Sequence, residues 1–356
     1  MTDDVAEVNR CVEFLHARLE AEGLVCAEEV FEGGRKALWA SNITGKRPDL
    51  MVVVHLDVVP VDSADEFEPV VDDYAVRGRG TEDCKGNAVA AISALLDIAA
   101  DKASGASMGI LFATDEETGG RTTAGMVERG YGAAKAALVY DSPGGHDVFV
   151  GQKGILRLRL VAEGRGGHAS APWEFDNPVL KLADAIIRLR AHWEAKYPRA
   201  KDEWHNSLAP TMLSAGKAVN QIPDTATAMV DIRFIETSTP EGLADEVREM
   251  TGLKVELVEE FPCVTFEPSG PAFDALSEII SSHSDGAKVG FRRMCGATDA
   301  RHLASLGVPI AVTGVDGDGA HSHGEYVVRS SIPRFASIAA EFARRLGSLS
   351  RPGGGR

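Results

Sequence analysis

The chain has 356 residues, of which 44% are hydrophobic and 25% charged, and a formal net charge of −16. That length exceeds one small domain and suits a large domain with a smaller companion. An acidic surface without a Lys/Arg-rich block repels phosphate backbones, which excludes nucleic acid as a partner, and no apolar run approaches the ~20 residues that span a bilayer, which excludes a membrane one.

The start, MTDDVAEVNR, has no basic segment followed by an apolar one, so it does not read as a signal peptide. Residues 5–22 form an amphipathic helical pattern with Val8, Val12, Leu15 and Leu19 on one stripe. Short apolar runs at 50–54, 108–113, 136–140 and 308–313 read as buried strands, and residues 87–100 as a helix with Val89, Ile92, Leu96 and Ala99 near helical spacing. Strands alternating with helices predict an α/β sheet covered on both faces.

The middle of the chain changes character. Residues 155–162 alternate Leu156, Leu158 and Leu160 with Arg157 and Arg159, the pattern of a half-exposed strand. Residues 177–193 form a helical stretch opened by Asn-Pro, and 225–234 and 254–258 read as further alternating strands. The block 152–264 therefore predicts a small antiparallel sheet with helices, inserted into the α/β domain, with Gly144, Gly145, Gly151 and Gly154 as hinge candidates. From Phe273 the helix and buried-strand pattern returns, and the tail at 351–356, RPGGGR, is expected to be disordered. Five cysteines without CxxC spacing argue against a thiolate zinc site and against a disulfide framework, and fit the reduced thiols of a cytoplasmic protein.

Chemistry gathers where the strands end. The first strand runs into His55 and Asp57, the second into Asp115, Glu116 and Glu117, the third into Asp141, and the last is followed by Asp316, Asp318, His321 and His323. Asp83 precedes the helix that begins at Asn87. Open α/β sheets bind ligands beyond the carboxyl ends of their strands. Taken singly, each of these residues has a plain explanation: a satisfied histidine, a solvated acidic loop, an aspartate near the positive end of a helix. Taken together they crowd carboxylates onto one sheet edge, a repulsion that divalent cations relieve. Other chemistries fit worse. The GxG at Gly78–Gly80 lacks a third glycine and meets Glu82 and Asp83 where a phosphate would sit, and no GxSxG elbow is present.

The motifs HLDVVP from His55, GRGTEDCKGN from Gly78, TDEETGG from Thr114, VYDSPGG from Val139, GRGGHAS from Gly164, NQIP from Asn220, GATDAR from Gly296 and AHSHGEY from Ala320 occur in that order. In them the chain resembles the M20 family of metallopeptidases, which includes succinyl-diaminopimelate desuccinylase, acetylornithine deacetylase and glutamate carboxypeptidase. The resemblance covers nearly the whole chain. It implies a zinc-peptidase-like α/β catalytic domain formed by 1–151 and 265–350, with an inserted α+β lid and dimerisation domain at 152–264.

It also implies two divalent ions, zinc first, with cobalt or manganese as alternatives. His55 and Asp141 would hold one and Glu117 and His321 the other, with Asp83 bridging and Asp57 behind His55 fixing its tautomer. Metal coordination lowers the pKa of bound water from about 15.7 toward ~7, so hydroxide forms at neutral pH, with Glu116 as general base. His168, supplied by the partner of a homodimer, would polarise the scissile carbonyl. Arg233 would hold a substrate carboxylate, and Asn220, Gly296 and Thr298 would add hydrogen bonds. The implied reaction is hydrolysis of the amide bond of a small N-acyl amino acid or dipeptide.

Three positions depart from the family pattern. Asp141 stands where deacylases and carboxypeptidases usually carry Glu, and Asp is more typical of aminopeptidases and dipeptidases. Cys84 follows the bridging Asp and is either an inert packing residue or an oxidation-sensitive one. AHSHGEY offers His323 as a fallback ligand to His321. A non-catalytic binding or regulatory protein on the same scaffold is the alternative from another class.

Overall fold

The computed structural model describes residues 1–142, 144–198 and 204–349, so the tail expected to be disordered at 351–356 lies outside the described residues. The chain divides into two compact units. One comprises Met1–Val150, Phe266–Arg292 and the chain from Thr298 on; the other comprises Gly151–Thr265 with Arg293–Ala297.

The first unit is built on a mixed sheet. Its strands run in the order Val25–Val30, Lys36–Ser41, Met108–Ala113, Leu50–His55, Ala136–Tyr140, Ile310–Thr313 and Val148–Gln152. Four of them form a parallel core. Leu50–His55 lies between Met108–Ala113 and Ala136–Tyr140, and Ile310–Thr313 pairs with the latter. Every residue of these four strands is buried, as expected when helices cover both faces, and this is why they read as unbroken apolar runs. The register pairs His55 with Ala113 and Thr313 with Tyr140, so the strands end level at one edge.

The helix Asn87–Ala100 forms at the expected place, and Ile92, Leu96 and Ala99 of the expected stripe pack partly buried against the core, with the deepest positions beside them. Ala88, Ala90, Ala91, Ala94, Leu95 and Ile98 are inside, whereas Val89 is 50% exposed. The cause is its neighbour, the helix Ser331–Ser348, which buries Ala336, Ala339, Ala340 and Ala343. Small side chains let two helix backbones approach closely, and that packing outweighs the pull of the bulkier stripe.

The second unit is an antiparallel sheet in the order Ser207–Ala215, Thr225–Phe234, Gly154–Glu163, Lys254–Phe261. Leu156, Leu158, Leu160, Val230 and Ile232 face a core completed by Leu182, Leu189, Trp193, Leu243 and Val247 from the helices Pro178–Lys196 and Pro240–Thr251. The first of these helices opens as its Asn-Pro sequence predicts. The Asn177 side chain accepts the Val179 N–H at 3.0 Å, and Pro178, which has no N–H to leave unpaired, takes the first turn. Among the described residues, no helix is long and apolar enough to cross a membrane.

Candidate metal centre

His55 is the last residue of a central parallel strand, and its side chain is 1% exposed. Its Nε2 lies 2.8 Å from Asp83 Oδ1 and 3.8 Å from Asp141 Oδ1. On the other side of the ring, Nδ1 is 3.0 Å from the Asp57 carbonyl oxygen and 3.5 Å from its carboxylate. A proton on Nδ1 therefore has acceptors, which leaves the Nε2 lone pair directed at the carboxylates. The Asp57 carboxylate has a further task, accepting the main-chain N–H groups of Glu116 at 3.2 Å and Glu117 at 3.3 Å. It thus fixes the short turn Glu116–Thr118 by its backbone, while the Glu117 side chain separately accepts the Val59 N–H at 3.2 Å.

Cys84 packs against the same strand end. Its Sγ accepts the His55 N–H at 3.1 Å and lies 3.3 Å from the His55 carbonyl oxygen. The thiol is fully buried, and burial pushes its pKa up to about 12. Of the two readings of Cys84, this environment fits the inert packing residue.

Asp83 stands between two imidazoles. Oδ1 faces His55, and Oδ2 is 3.1 Å from Nε2 of His321, which is also 3.1 Å from Glu117 Oε2. His323 turns elsewhere, with Nε2 3.3 Å from Asp62 and Nδ1 3.3 Å from Glu66. Two trios of donor atoms, each drawn together within 4.8 Å, overlap at His55: one with Asp83 and Glu117, the other with Glu116 and Asp141.

The electrostatics are those of an over-full acidic cluster. Burial and the neighbouring Asp141 push the Glu116 carboxyl well above its usual range, and burial also raises Glu117. Glu82, which the sequence reading did not single out as a site residue, is pushed to about 8 by burial and by Asp83 beside it. Against its own burial, Asp83 is pulled down by hydrogen bonds from His321 and His55. His321 rises to about 10 through Asp83 and Glu117. Against burial, His55 rises well above its ordinary value through Cys84, Asp141, Asp57 and Asp83. The donor set of imidazole nitrogens and carboxylate oxygens suits zinc, cobalt or manganese, whose charge would offset the crowded carboxylates. The residues present fit such ions.

Two further buried acids, Asp299 and Glu325, lie outside the expected ligand set. Asp299 accepts the Thr123 hydroxyl at 2.5 Å, and its carboxyl is pushed to about 7 by burial, with Asp115 adding to the rise. Glu325, 2% exposed, accepts several main-chain N–H groups of the loop that carries Asp83. Its one sequence signal was its position four residues after His321.

The remaining expected site residues have simpler surroundings. Thr298, in the first unit, is buried and uses its hydroxyl to accept the Ala300 N–H at 3.2 Å, capping the helical segment Asp299–Leu306. Gly296 is exposed and belongs to the second unit. There, exposed His168 pairs with Gln221 across a two-residue ladder, and its Nδ1 is 2.8 Å from the Ser170 hydroxyl. Exposed Asn220 accepts the Ala169 N–H through its carbonyl at 3.0 Å. Arg233 is engaged by Asp231, with Nε 2.7 Å from one carboxylate oxygen.

Comparison with known proteins agrees with this geometry. Residues 51–345 match the model of the family described as Peptidase family M20/M25/M40. The chain is 30% identical over 328 residues to a succinyl-diaminopimelate desuccinylase of Gluconacetobacter diazotrophicus, covering 84% of this chain and 81% of that one. It is 31% identical over 324 residues to the Bordetella petrii enzyme of the same name, covering 83% and 82%. In fold it is similar to an M20 family metallo-carboxypeptidase from Sulfolobus solfataricus, with a TM-score of 0.79 at 15% identity over 96% of this chain and 95% of that one.

Proposed function

The chain belongs to peptidase family M20/M25/M40 and is a metallohydrolase of the peptidase or deacylase kind; from that premise we propose that it hydrolyses the amide bond of a small N-acyl amino acid or dipeptide at a two-metal centre. The observation that carries the reading is Asp83, whose two carboxylate oxygens each face a different imidazole, His55 at 2.8 Å and His321 at 3.1 Å. In this reading His55, Asp83 and Asp141 hold one ion and Asp83, Glu117 and His321 the other. Zinc is the first choice and cobalt or manganese the alternatives. Two such ions, when bound, supply Lewis acidity toward water and the scissile carbonyl.

Glu116 is the general base. Its backbone is fixed by Asp57 and its side chain sits with His55 and Asp141. A carboxylate so placed takes a proton from the attacking water at one oxygen and returns it to the leaving amine. In this proposal the second unit is the lid and dimerisation domain, with His168, supplied by the partner of a homodimer, as the hydrogen-bond donor to the carbonyl oxygen as that oxygen gains charge. Arg233, oriented by Asp231, presents its remaining N–H groups to the substrate carboxylate, and Asn220, Gly296 and Thr298 add polar contacts. A cytoplasmic homodimer completes the proposal. The desuccinylase relatives favour the deacylase branch. The short Asp141 carboxylate, 3.8 Å from His55, favours the dipeptidase one.

The test is Glu116→Ala in the zinc-loaded protein, assayed on N-acetyl and N-succinyl amino acids and free dipeptides beside an EDTA-treated control. Turnover should fall by about 10²–10⁴-fold while zinc content, read by atomic absorption, stays at the wild-type level. Loss of zinc together with turnover would make Glu116 a ligand instead. No metal-dependent cleavage by the wild type would point to the non-catalytic alternative.

A further inference from the structure

We propose that Glu325 is a positioning residue for the metal centre: its buried carboxylate clamps the main chain of the Asp83 loop so that Asp83 faces His55 and His321 before any cation arrives. The inference rests on the metal reading above. One oxygen, Oε1, accepts the N–H groups of Glu82 at 3.0 Å and Asp83 at 3.1 Å. The other, Oε2, accepts the Gly80 N–H at 2.9 Å and Arg79 Nη1 at 3.1 Å. Arg79 is in turn held by Glu66, 3.0 Å away, and the Gly78 N–H donates to the Glu325 carbonyl at 3.0 Å. Three amides and a guanidinium wrapped around one carboxylate make a closed anion nest. They give both oxygens of this buried carboxylate two hydrogen-bond donors each.

The loop can close in this way because Gly80 takes φ +79°, and a Cβ at that position would come within 2.5 Å of Val58 Cγ1. The need for a clamp follows from the charges. Asp83 and Glu117 both reach the His321 ring at 3.1 Å, and two like charges so close would push Asp83 out of line if its loop were loose. Gripping the backbone resists the displacement without consuming a lone pair of Asp83 itself. Glu325 lies four residues after His321, so the same contact ties the loops that carry both groups. A glutamine has the right size but only one acceptor oxygen, and its NH₂ would face an amide N–H. Order fixed in advance need not be supplied by the ion when it binds.

The experiment titrates metal-free wild type, Glu325→Gln, Asp83→Asn and the double variant with Zn²⁺ against a chelating dye. Glu325→Gln should bind zinc about 10- to 100-fold more weakly, as losses of groups that orient ligands do. The double variant should bind no more weakly than Asp83→Asn alone, because the effect passes through Asp83. Glu66→Gln, which disturbs the same buried network without touching the loop amides, should stay within about twofold of wild type. Wild-type affinity in Glu325→Gln, additive losses in the double variant, or an equal loss in Glu66→Gln would each overturn the clamp. A measurement without variants guards against misfolding. Hydrogen exchange at Gly80, Glu82 and Asp83 should be as slow in the metal-free wild type as in the zinc-loaded one, and fast exchange until zinc is added overturns the proposal. Failure of the wild type to take up zinc would sink the metal reading instead, with the exchange result still judging the clamp.

Discussion

His55 and His321 approach Asp83 from opposite sides and are built in opposite ways. His55 closes a strand buried on both faces, its side chain 1% exposed, one ring nitrogen against Asp57 and its main chain against Cys84. His321 sits in a loop at φ +63°, its side chain 56% exposed, facing Asp83 and Glu117. One imidazole is ordered by the fold, and the other by the carboxylates it meets. In the proposed two-metal reading, an ion at the His55 position would find its ligands desolvated and fixed, whereas one at the His321 position would have to order part of its own shell. The two positions should therefore differ in affinity, with the His55 side the tighter and the His321 side the one that empties first under a chelator.

The sharpest way to break this contrast is to remove each histidine in the metal-free protein. His55→Ala removes a fully buried imidazole and leaves the part-buried carboxylates of Asp83 and Asp141 facing its place, and should cost about 3–5 kcal/mol of stability in urea denaturation. His321→Ala removes a largely exposed partner and should cost about 0–1 kcal/mol. Equal losses would erase the distinction.

A smaller effect appears with pH. His321 is raised to about 10 in the folded protein, so its pairing contributes fully below its unfolded value of about 6.5 and fades as pH climbs toward 10. Asp83 is lowered, so its contribution is present above its unfolded value of about 3.9 and is lost as pH falls below that. The difference in melting temperature between wild type and His321→Gln should be greatest near pH 5–6 and close by about pH 10. A gap that widens with pH would contradict the pairing. Last comes a null effect: His323→Gln, whose ring meets Asp62 and Glu66 and not Asp83, should leave zinc affinity and turnover unchanged. A loss in either would restore His323 as a ligand.

The parallel core and the acidic clusters at its strand ends were legible because both follow from local pattern: unbroken apolar runs, then His55, Glu116–Glu117 and Asp141. The antiparallel pair Val25–Val30 and Lys36–Ser41 was not, since Glu28, Glu29 and Lys36 interrupt any alternation. Ser207–Ala215 was hidden for another reason. It is an edge strand with an exposed face and a Pro210, so it carries neither apolar signature. The helix 87–100 was placed correctly, with Ile92, Leu96 and Ala99 against the core, but its deepest positions are mostly alanines beside them, because packing against another alanine-rich helix is a tertiary fact. Glu325 and the second task of Asp57 were illegible for a deeper reason. Both act on main-chain N–H groups, which every sequence possesses and none advertises.

That shared device has a consequence for redesign. Asp57 grips the amides of Glu116 and Glu117, and Glu325 those of Gly80, Glu82 and Asp83. Glu82, Asp83 and Glu116 thus project from loops whose main chain is held by other residues, whereas the Glu117 carboxylate also holds the Val59 N–H at 3.2 Å. The centre behaves as a socket with exchangeable contacts: positions 82, 83 and 116 are those at which softer donors or a different charge leave the mould around them in place.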